Sequence, residues 1–124
     1  MIKHLKHWGP AVAWAGLIFA FSHQSDPPGA EWFAAYDEGV HFVEYSVFAL
    51  TLVWGATAGF RFSLTLKSVA AVCAVALLYA LSDEWHQSLV PNRQASWLDV
   101  AADALGSITS VMIVYGMSKG NTWE

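Results

Sequence analysis

The sequence predicts an all-α integral membrane protein, a four-helix bundle whose N- and C-termini are both cytoplasmic. Hydrophobic residues make up 56% of the 124-residue chain and charged residues only 13%, whereas soluble domains are about 25% charged. A water-soluble bundle needs a polar face on each helix, and this chain has too few polar residues to supply one. Apolar segments of membrane length and an uneven distribution of basic residues complete the prediction. The chain length suits a single domain over residues 1–124.

The apolar segments define the predicted spans, at about residues 5–22, 40–60, 64–82 and 97–117. The last three have about the 20 residues needed to cross a bilayer core. The first reaches that length only with flanking residues. Because Lys3 and Lys6 precede it, it also resembles a secretory signal peptide. An uncleaved span is the favoured interpretation, since no run of small residues follows Phe21.

The charged residues predict the orientation of these spans. A four-span arrangement places one group of basic residues on a single side of the membrane: Lys3, Lys6, Arg61, Lys67 and Lys119. The positive-inside rule makes that side cytoplasmic. Arg93 and every acidic residue except Glu124 fall on or near the opposite, outer side. The apolar spans make the lipid bilayer the expected partner. Because the sequence has no basic stripe, we do not expect nucleic acid as a partner.

Carboxylates and a histidine recur at helical spacing in the second and fourth spans. Asp37, His41 and Glu44 follow i, i+4, i+7 spacing and therefore share one helix face. Asp103 lies about 6 Å deeper along its helix than Asp99. A carboxylate at the middle of a span costs about 2.5 to 3.5 kcal/mol on insertion scales. We therefore expect both aspartates to face the bundle interior and to find partners there.

The end of the third span and the connections add further polar residues. Asp83 and His86 are three residues apart, as are Glu84 and Gln87, so a helical continuation of this span would stack both pairs. Arg93 follows in the loop and can present a forked donor to a carboxylate or a phosphate. Three helix ends and a loop would then converge on one pocket. The predicted substrate-binding residues are Arg93, Gln87, Tyr45, Glu44, Ser22 and Gln24.

Two longer motifs resemble the VanZ-like family of small bacterial membrane proteins. The first is DEGVHFVEY (37–45). The second, LSDEWHQSLVPNRQASWLDVAADALG (81–106), is more specific and has D-E-x-H-Q, P-x-R and D-x-x-x-D-x-x-G in order. FSHQSDPP (21–28) is similar to the serine-and-glutamine stretch after that family's first span. The similarity extends over about residues 8–116 and departs at Glu38, where the family usually has a lysine.

The resemblance implies a four-helix protein of the bacterial cytoplasmic (inner) membrane, and the positive-inside rule predicts that its polar site faces the periplasm or the cell exterior. The family's namesake is associated with resistance to the glycopeptide teicoplanin. Carried over one by one, the matching positions are Asp37, His41, Tyr45, Asp83, Glu84, His86, Gln87, Pro91, Arg93, Asp99, Asp103 and Gly106.

Several chemistries suit this set of side chains. Acid–base catalysis is one, with candidate catalytic residues Asp37, His41, Asp83, Glu84, His86, Asp99 and Asp103. A divalent metal ion is another, with candidate ligands His41, Glu44, Glu84, His86, Asp99 and Asp103. A third interpretation is a structural polar network that ties the helix ends together.

Two classes of function follow from these alternatives. One is a hydrolase or transferase whose outward-facing pocket acts on a lipid-linked or cell-wall-related substrate. The other is a non-catalytic envelope protein that binds a lipid, a precursor or a glycopeptide and limits access to it. Transport is disfavoured because the inner half of every predicted span is nearly devoid of polar residues.

Overall fold

The computed structural model describes residues 5–120, and every regular element within that range is helical. The α-helices are α1 (Gly9–Ser22), α2 (Ala30–Ala35), α3 (Asp37–Ala56), α4 (Leu66–Ser88) and α5 (Trp97–Gly120). A 3-10 turn at Lys6–Trp8 leads into α1. The all-α prediction is confirmed for this part of the chain. Lys3 and Glu124, two of the charged residues used to predict the orientation, lie outside the described residues.

Three of these helices are long and apolar enough to cross a membrane. They contain 20, 23 and 24 residues for α3, α4 and α5, and a helix of 20 residues is about 30 Å long. Helix α1 has only 14 residues, or about 21 Å. The structure therefore supplies three helices of spanning length. A fourth span and the cytoplasmic position of both termini stay predictions.

The helix boundaries differ from the predicted spans at the ends that carry charge. Helix α3 begins at Asp37 rather than near residue 40, with Asp37 and Glu38 in its first turn. Negative side chains there interact favourably with the helix dipole. Helix α4 continues past residue 82 to Ser88, because a polar sequence can extend a helix wherever its side chains find partners. At its start, the Thr65 hydroxyl accepts a hydrogen bond from the Ser68 amide at 3.1 Å.

Helices α3 and α5 run parallel and pack closely against each other. The Ser46 hydroxyl lies 3.0 Å from the Gly106 carbonyl and the Ser107 hydroxyl lies 3.4 Å from the Tyr45 carbonyl. Each hydroxyl shares its hydrogen with a nearer carbonyl four residues earlier on its own helix. A Cβ atom at Gly106 would overlap the Phe42 carbonyl. Small residues allow two helix backbones to approach this closely within a membrane.

Helix α1 is held against α3 and α4 by two hydrogen bonds from aromatic side chains. The Trp14 indole donates to the Glu44 carbonyl at 2.9 Å. The Tyr79 hydroxyl donates to the Ala15 carbonyl at 2.6 Å. The helix ends that meet at one end of the molecule are therefore the C-termini of α1 and α4 and the N-termini of α3 and α5.

The outer surface of the helices is apolar. Leu78, Leu105 and Ile113 are 66%, 60% and 58% exposed. Soluble monomers rarely leave large contiguous apolar surfaces in water. These side chains are suited to the hydrocarbon of a bilayer, in agreement with the membrane assignment.

Candidate functional site

The candidate site is built around His41, one turn into α3. Its Nδ1 lies 2.8 Å from Oδ1 of Asp103 on α5. An ionised carboxylate can only accept hydrogen bonds, so Nδ1 is the donor in this pair. His41 is buried, and Asp103 is fully buried. The close packing of α3 on α5 brings the two side chains to the same level.

The other ring nitrogen of His41 faces two more carboxylates. Nε2 lies 3.7 Å from Oδ1 of Asp37 and 3.7 Å from Oδ2 of Asp99. Asp37 is half-exposed, whereas Asp99 is buried. The ligand atoms of these three residues lie within 4.8 Å of one another. We refer to Asp37, His41 and Asp99 as the outer triplet.

A second group lies on the buried side of His41. The ligand atoms of His41, Glu84 and Asp103 also lie within 4.8 Å of one another, and we refer to these residues as the inner triplet. Oε2 of Glu84 accepts a hydrogen bond from the Ser96 amide at 2.8 Å, just before α5 begins. Among the described residues, neither Oε1 of Glu84 nor Oδ2 of Asp103 has a hydrogen-bond partner.

A cavity of about 510 Å³ opens beside the outer triplet. Asp37, His41 and Asp99 form part of its wall, together with Gln87 from α4 and Arg93 from the connection to α5. The Arg93 Nε is buried and has no hydrogen-bond partner among the described residues. The cavity wall thus combines a histidine, three carboxylates (Asp26, Asp37 and Asp99) and the guanidinium group of Arg93, which can bind an anionic ligand.

A network next to the cavity joins α1 to α4. The Gln87 side-chain amide donates to the Ser22 hydroxyl at 3.2 Å and to Oδ2 of Asp83 at 3.4 Å. All three side chains are buried. Asp83 therefore pairs with Gln87 four residues later, whereas the sequence suggested stacking with His86. This network fixes Gln87 in the cavity wall.

His86 lies apart from both triplets. Its ring stacks on Phe19 of α1, with the centroids 4.6 Å apart. Its Nε2 lies 3.1 Å from Nδ1 of His23. His86 therefore faces α1. His41 and His86, which the sequence grouped as candidate metal ligands, point in different directions.

Three other candidate residues also lie outside the wall of the polar cavity. Glu44 lines a separate apolar cavity of about 490 Å³, together with Trp14, Phe21 and Trp32. Tyr45 is fully buried in the core. Gln24 is exposed in the connection after α1.

Some residues in the wall of the polar cavity were not selected from the sequence. Asp26 comes from the connection after α1, and Asn92 and Gln94 flank Arg93. Their position beside proline-containing turns was the available signal, because turns after helix ends often return a side chain to the site.

The site carries an excess of negative charge. Asp83, Glu84, Asp99 and Asp103 are all buried. Within residues 5–120, the ion pairs to these carboxylates all come from His41, and none comes from a lysine or an arginine. Buried charges are costly unless they are paired. The arrangement is suited to proton exchange and to binding a cation.

A known protein family matches almost the whole chain. The family model described as VanZ/LLP1 matches residues 8–118, a range that includes every residue of the site. The comparisons with curated proteins and with solved structures gave no significant match. The match confirms the resemblance read from the motifs at 37–45 and 81–106. The chain is thus a member of the VanZ/LLP1 family of membrane proteins.

Proposed function

We propose that this protein is a hydrolase or transferase of the bacterial cytoplasmic membrane that acts on a lipid-linked or cell-wall-related substrate. The single observation that carries this proposal is the setting of His41. One ring nitrogen is held by Asp103 at 2.8 Å, and the other side of the ring borders the polar cavity. A carboxylate that fixes a histidine in this way is the usual arrangement of a general base.

In this proposal His41, Asp103 and Arg93 have separate roles. His41 takes a proton from the attacking hydroxyl group or water and returns it to the leaving group. Asp103 orients the imidazole ring and stabilises its positive charge. Arg93 binds a phosphate or another anionic group of the substrate through two parallel hydrogen bonds.

The neighbouring apolar cavity supports a lipid-linked substrate. It has about the same volume as the polar cavity, and Phe33 of α2 lines both. An amphiphile could therefore place its headgroup beside His41 and its hydrocarbon chain among Trp14, Phe21 and Trp32. Ligand sites commonly combine apolar walls with a few polar groups that fix orientation.

The charge distribution supports a site on the outer face of the membrane. Arg61, Lys67 and Lys119 lie at the helix ends opposite the site. The positive-inside rule places such an end in the cytoplasm. The site would then face the periplasm or the cell exterior, where cell-wall precursors are used and where glycopeptides such as teicoplanin act.

A non-catalytic binding protein is the second candidate. Its specific support is the amide-rich wall of the polar cavity, where Gln87, Asn92 and Gln94 lie beside Arg93. Side-chain amides offer both donors and acceptors to a peptide or a sugar. In this alternative the protein binds a lipid, a precursor or a glycopeptide and thereby changes its availability, including to teicoplanin.

The two candidate functions can be distinguished by replacing His41 and His86 separately. His41→Gln is the test variant and His86→Gln is its matched control, because His86 faces α1. Purified protein in liposomes would be given lipid-linked cell-wall precursor, with products followed by mass spectrometry. We expect His41→Gln to lower the rate about 10²-fold or more and His86→Gln to retain it.

The same variants should be expressed in cells challenged with teicoplanin. Loss of both product formation and resistance in His41→Gln alone supports the enzyme. Wild-type protein that binds the precursor but forms no product would contradict the enzyme and favour the binding protein. Equal loss in both variants, with unchanged thermal stability, would contradict the role given to His41.

A further inference from the structure

We propose that the inner triplet, His41, Glu84 and Asp103, binds one divalent cation. Each ligand comes from a different membrane-spanning helix, α3, α4 and α5 respectively. The candidate ligand atoms lie within 4.8 Å of one another. Metal–ligand bonds of about 2.0 to 2.6 Å put two ligands of one ion at most about 4 to 5 Å apart, so this separation is of the order that one ion requires.

Two buried oxygens of the inner triplet have no hydrogen-bond partner within the described protein, which favours a bound cation. Oδ2 of Asp103 and Oε1 of Glu84 have no hydrogen-bond partner among the described residues, although the two side chains are only 0% and 5% exposed. A buried polar atom without a partner costs about 1 to 3 kcal/mol, and more when it is charged. The other Glu84 oxygen is satisfied by the Ser96 amide, so only one face of each carboxylate is free.

Charge balance also favours a cation in this position. Asp99 and Asp83 lie buried near the inner triplet, and the described chain provides no lysine or arginine within ion-pairing distance of any of the four buried carboxylates. A divalent ion would neutralise both carboxylates of the triplet. One imidazole nitrogen with two carboxylate oxygens suits first-row transition ions such as Mn²⁺.

Binding of the ion changes the proton on His41. Nδ1 now donates to Asp103, and a coordinating nitrogen must be deprotonated. Coordination through Nδ1 therefore moves this proton to Nε2, which faces Asp37 and Asp99, or releases it to solvent when both ring nitrogens are protonated. Asp103 exchanges a hydrogen bond for a metal bond, so the ion-bound form and the proposed general base are alternative states of His41. The inference goes beyond the proposed reaction, because binding of the ion does not require any turnover.

The test is a Mn²⁺ titration of the full chain in lipid nanodiscs after treatment with a chelator. Electron paramagnetic resonance measures the free ion. We expect one Mn²⁺ per wild-type chain, with the spectroscopic signature of one directly bound imidazole nitrogen. Glu84→Gln and Asp103→Asn should each weaken binding by at least 10-fold to 100-fold, the range seen even for outer partners of metal ligands.

Asp83→Asn is the matched control, because Asp83 is the equally buried neighbour of Glu84 on α4 and its carboxylate accepts from Gln87. Because Asp83 contributes only its charge at a distance, we expect this variant to keep one Mn²⁺ per chain and the imidazole nitrogen signature, with a smaller loss of affinity than Glu84→Gln or Asp103→Asn. Asp99→Asn separates the two triplets. If it abolishes binding while Glu84→Gln does not, the ion lies in the outer triplet and the proposal is wrong.

Two outcomes with the wild type alone would also overturn the inference, whether or not the variants fold. One is a folded protein that shows no saturable Mn²⁺ binding. The other is a bound Mn²⁺ without imidazole nitrogen coordination. Because the experiment measures binding and not product, failure of the proposed enzyme and failure of the metal site are distinguishable.

Discussion

At the scale of single residues, half-buried Tyr79 and fully buried Tyr45 differ in whether the hydroxyl has a partner. Tyr79 donates to the Ala15 carbonyl at 2.6 Å. Tyr45 lies fully buried on α3, and its hydroxyl has no partner among the described residues. Removal of the Tyr79 hydroxyl breaks a hydrogen bond between helices. Removal of the Tyr45 hydroxyl takes away a buried polar group that has no partner among the described residues.

We expect Tyr79→Phe to lower the free energy of unfolding by about 0.5 to 1.5 kcal/mol, the net value of a typical hydrogen bond. Tyr45→Phe is the matched control, and its stability should be unchanged or higher. Thermal unfolding of both variants in the same detergent checks the difference. A larger loss in Tyr45→Phe would show that its hydroxyl has a partner outside the protein side chains, such as a buried water.

Residue spacing predicted part of the site well. Asp37 and His41 are four apart on one helix, and the structure places them together with Asp99 and Asp103 in the two triplets. His86 was assigned to the same group but faces α1. Spacing shows which residues share a helix face, but it does not show which neighbour that face meets. Rotation of α4 is set by packing against the other helices.

At the scale of elements, α3 and α5 approach each other closely at Gly106. A Cβ atom there would overlap the Phe42 carbonyl and approach the Ser46 hydroxyl. The obstructing atom is backbone, so the contact cannot be relieved by a side-chain rotation. Separation of the two helices would also lengthen the His41–Asp103 hydrogen bond.

Gly106→Ala should therefore destabilise the protein by about 1 to 3 kcal/mol, as expected for overpacking. Gly116→Ala on the same helix is the matched control, because nothing lies within 4 Å of its added Cβ. Alanine also has the higher helix propensity, so the control should be unchanged or more stable. Thermal unfolding measures both, and equal stability of the two variants would contradict the close contact.

Hydropathy predicted the helices better than their ends. Apolar composition ended the third predicted span near residue 82, whereas α4 continues to Ser88. The additional turns are polar and are stabilised by bonds to other helices, such as the Gln87 bond to Ser22. Such tertiary bonds have no counterpart in local composition. The i, i+3 spacing of Asp83 and Glu84 with later residues was the better guide to this extension.

At the scale of the whole molecule, the described acidic residues and the described basic residues other than Arg93 occupy opposite ends of the helices. Arg61 lies in the connection between α3 and α4, and Lys119 lies at the end of α5. The carboxylates of both triplets lie at the other end. This separation underlies the proposed orientation, which can be tested without knowledge of the substrate.

Two exposed positions in opposite connections serve as reporters of orientation. The single cysteine is first removed as Cys73→Ala, and either Ala95→Cys or Ser63→Cys is then added. We expect a membrane-impermeant maleimide to label the thiol at position 95 in intact spheroplasts. The thiol at position 63 should be labelled only after the membrane is permeabilised. The reverse pattern would place the site in the cytoplasm and contradict the proposed orientation.

The fold class of the whole molecule could be predicted because composition alone excludes a water-soluble bundle. The all-α architecture and three helices of spanning length follow from that composition and are present. The role of the first segment could not be settled in the same way. Its 14-residue helix packs against α3 and α4, and its length is decided by where polar flanks lie rather than by its apolar core.

The parallel contact of α3 with α5 has a consequence for synthesis of the protein. His41 precedes Asp103 by 62 residues, so the ribosome makes the histidine well before its carboxylate partner. During that interval the unfinished hairpin of α3 and α4 exposes polar groups to lipid, which is unfavourable. A chain that ends before α5 would lack both aspartates of that helix and would leave the His41 ring without its hydrogen-bond partner Asp103.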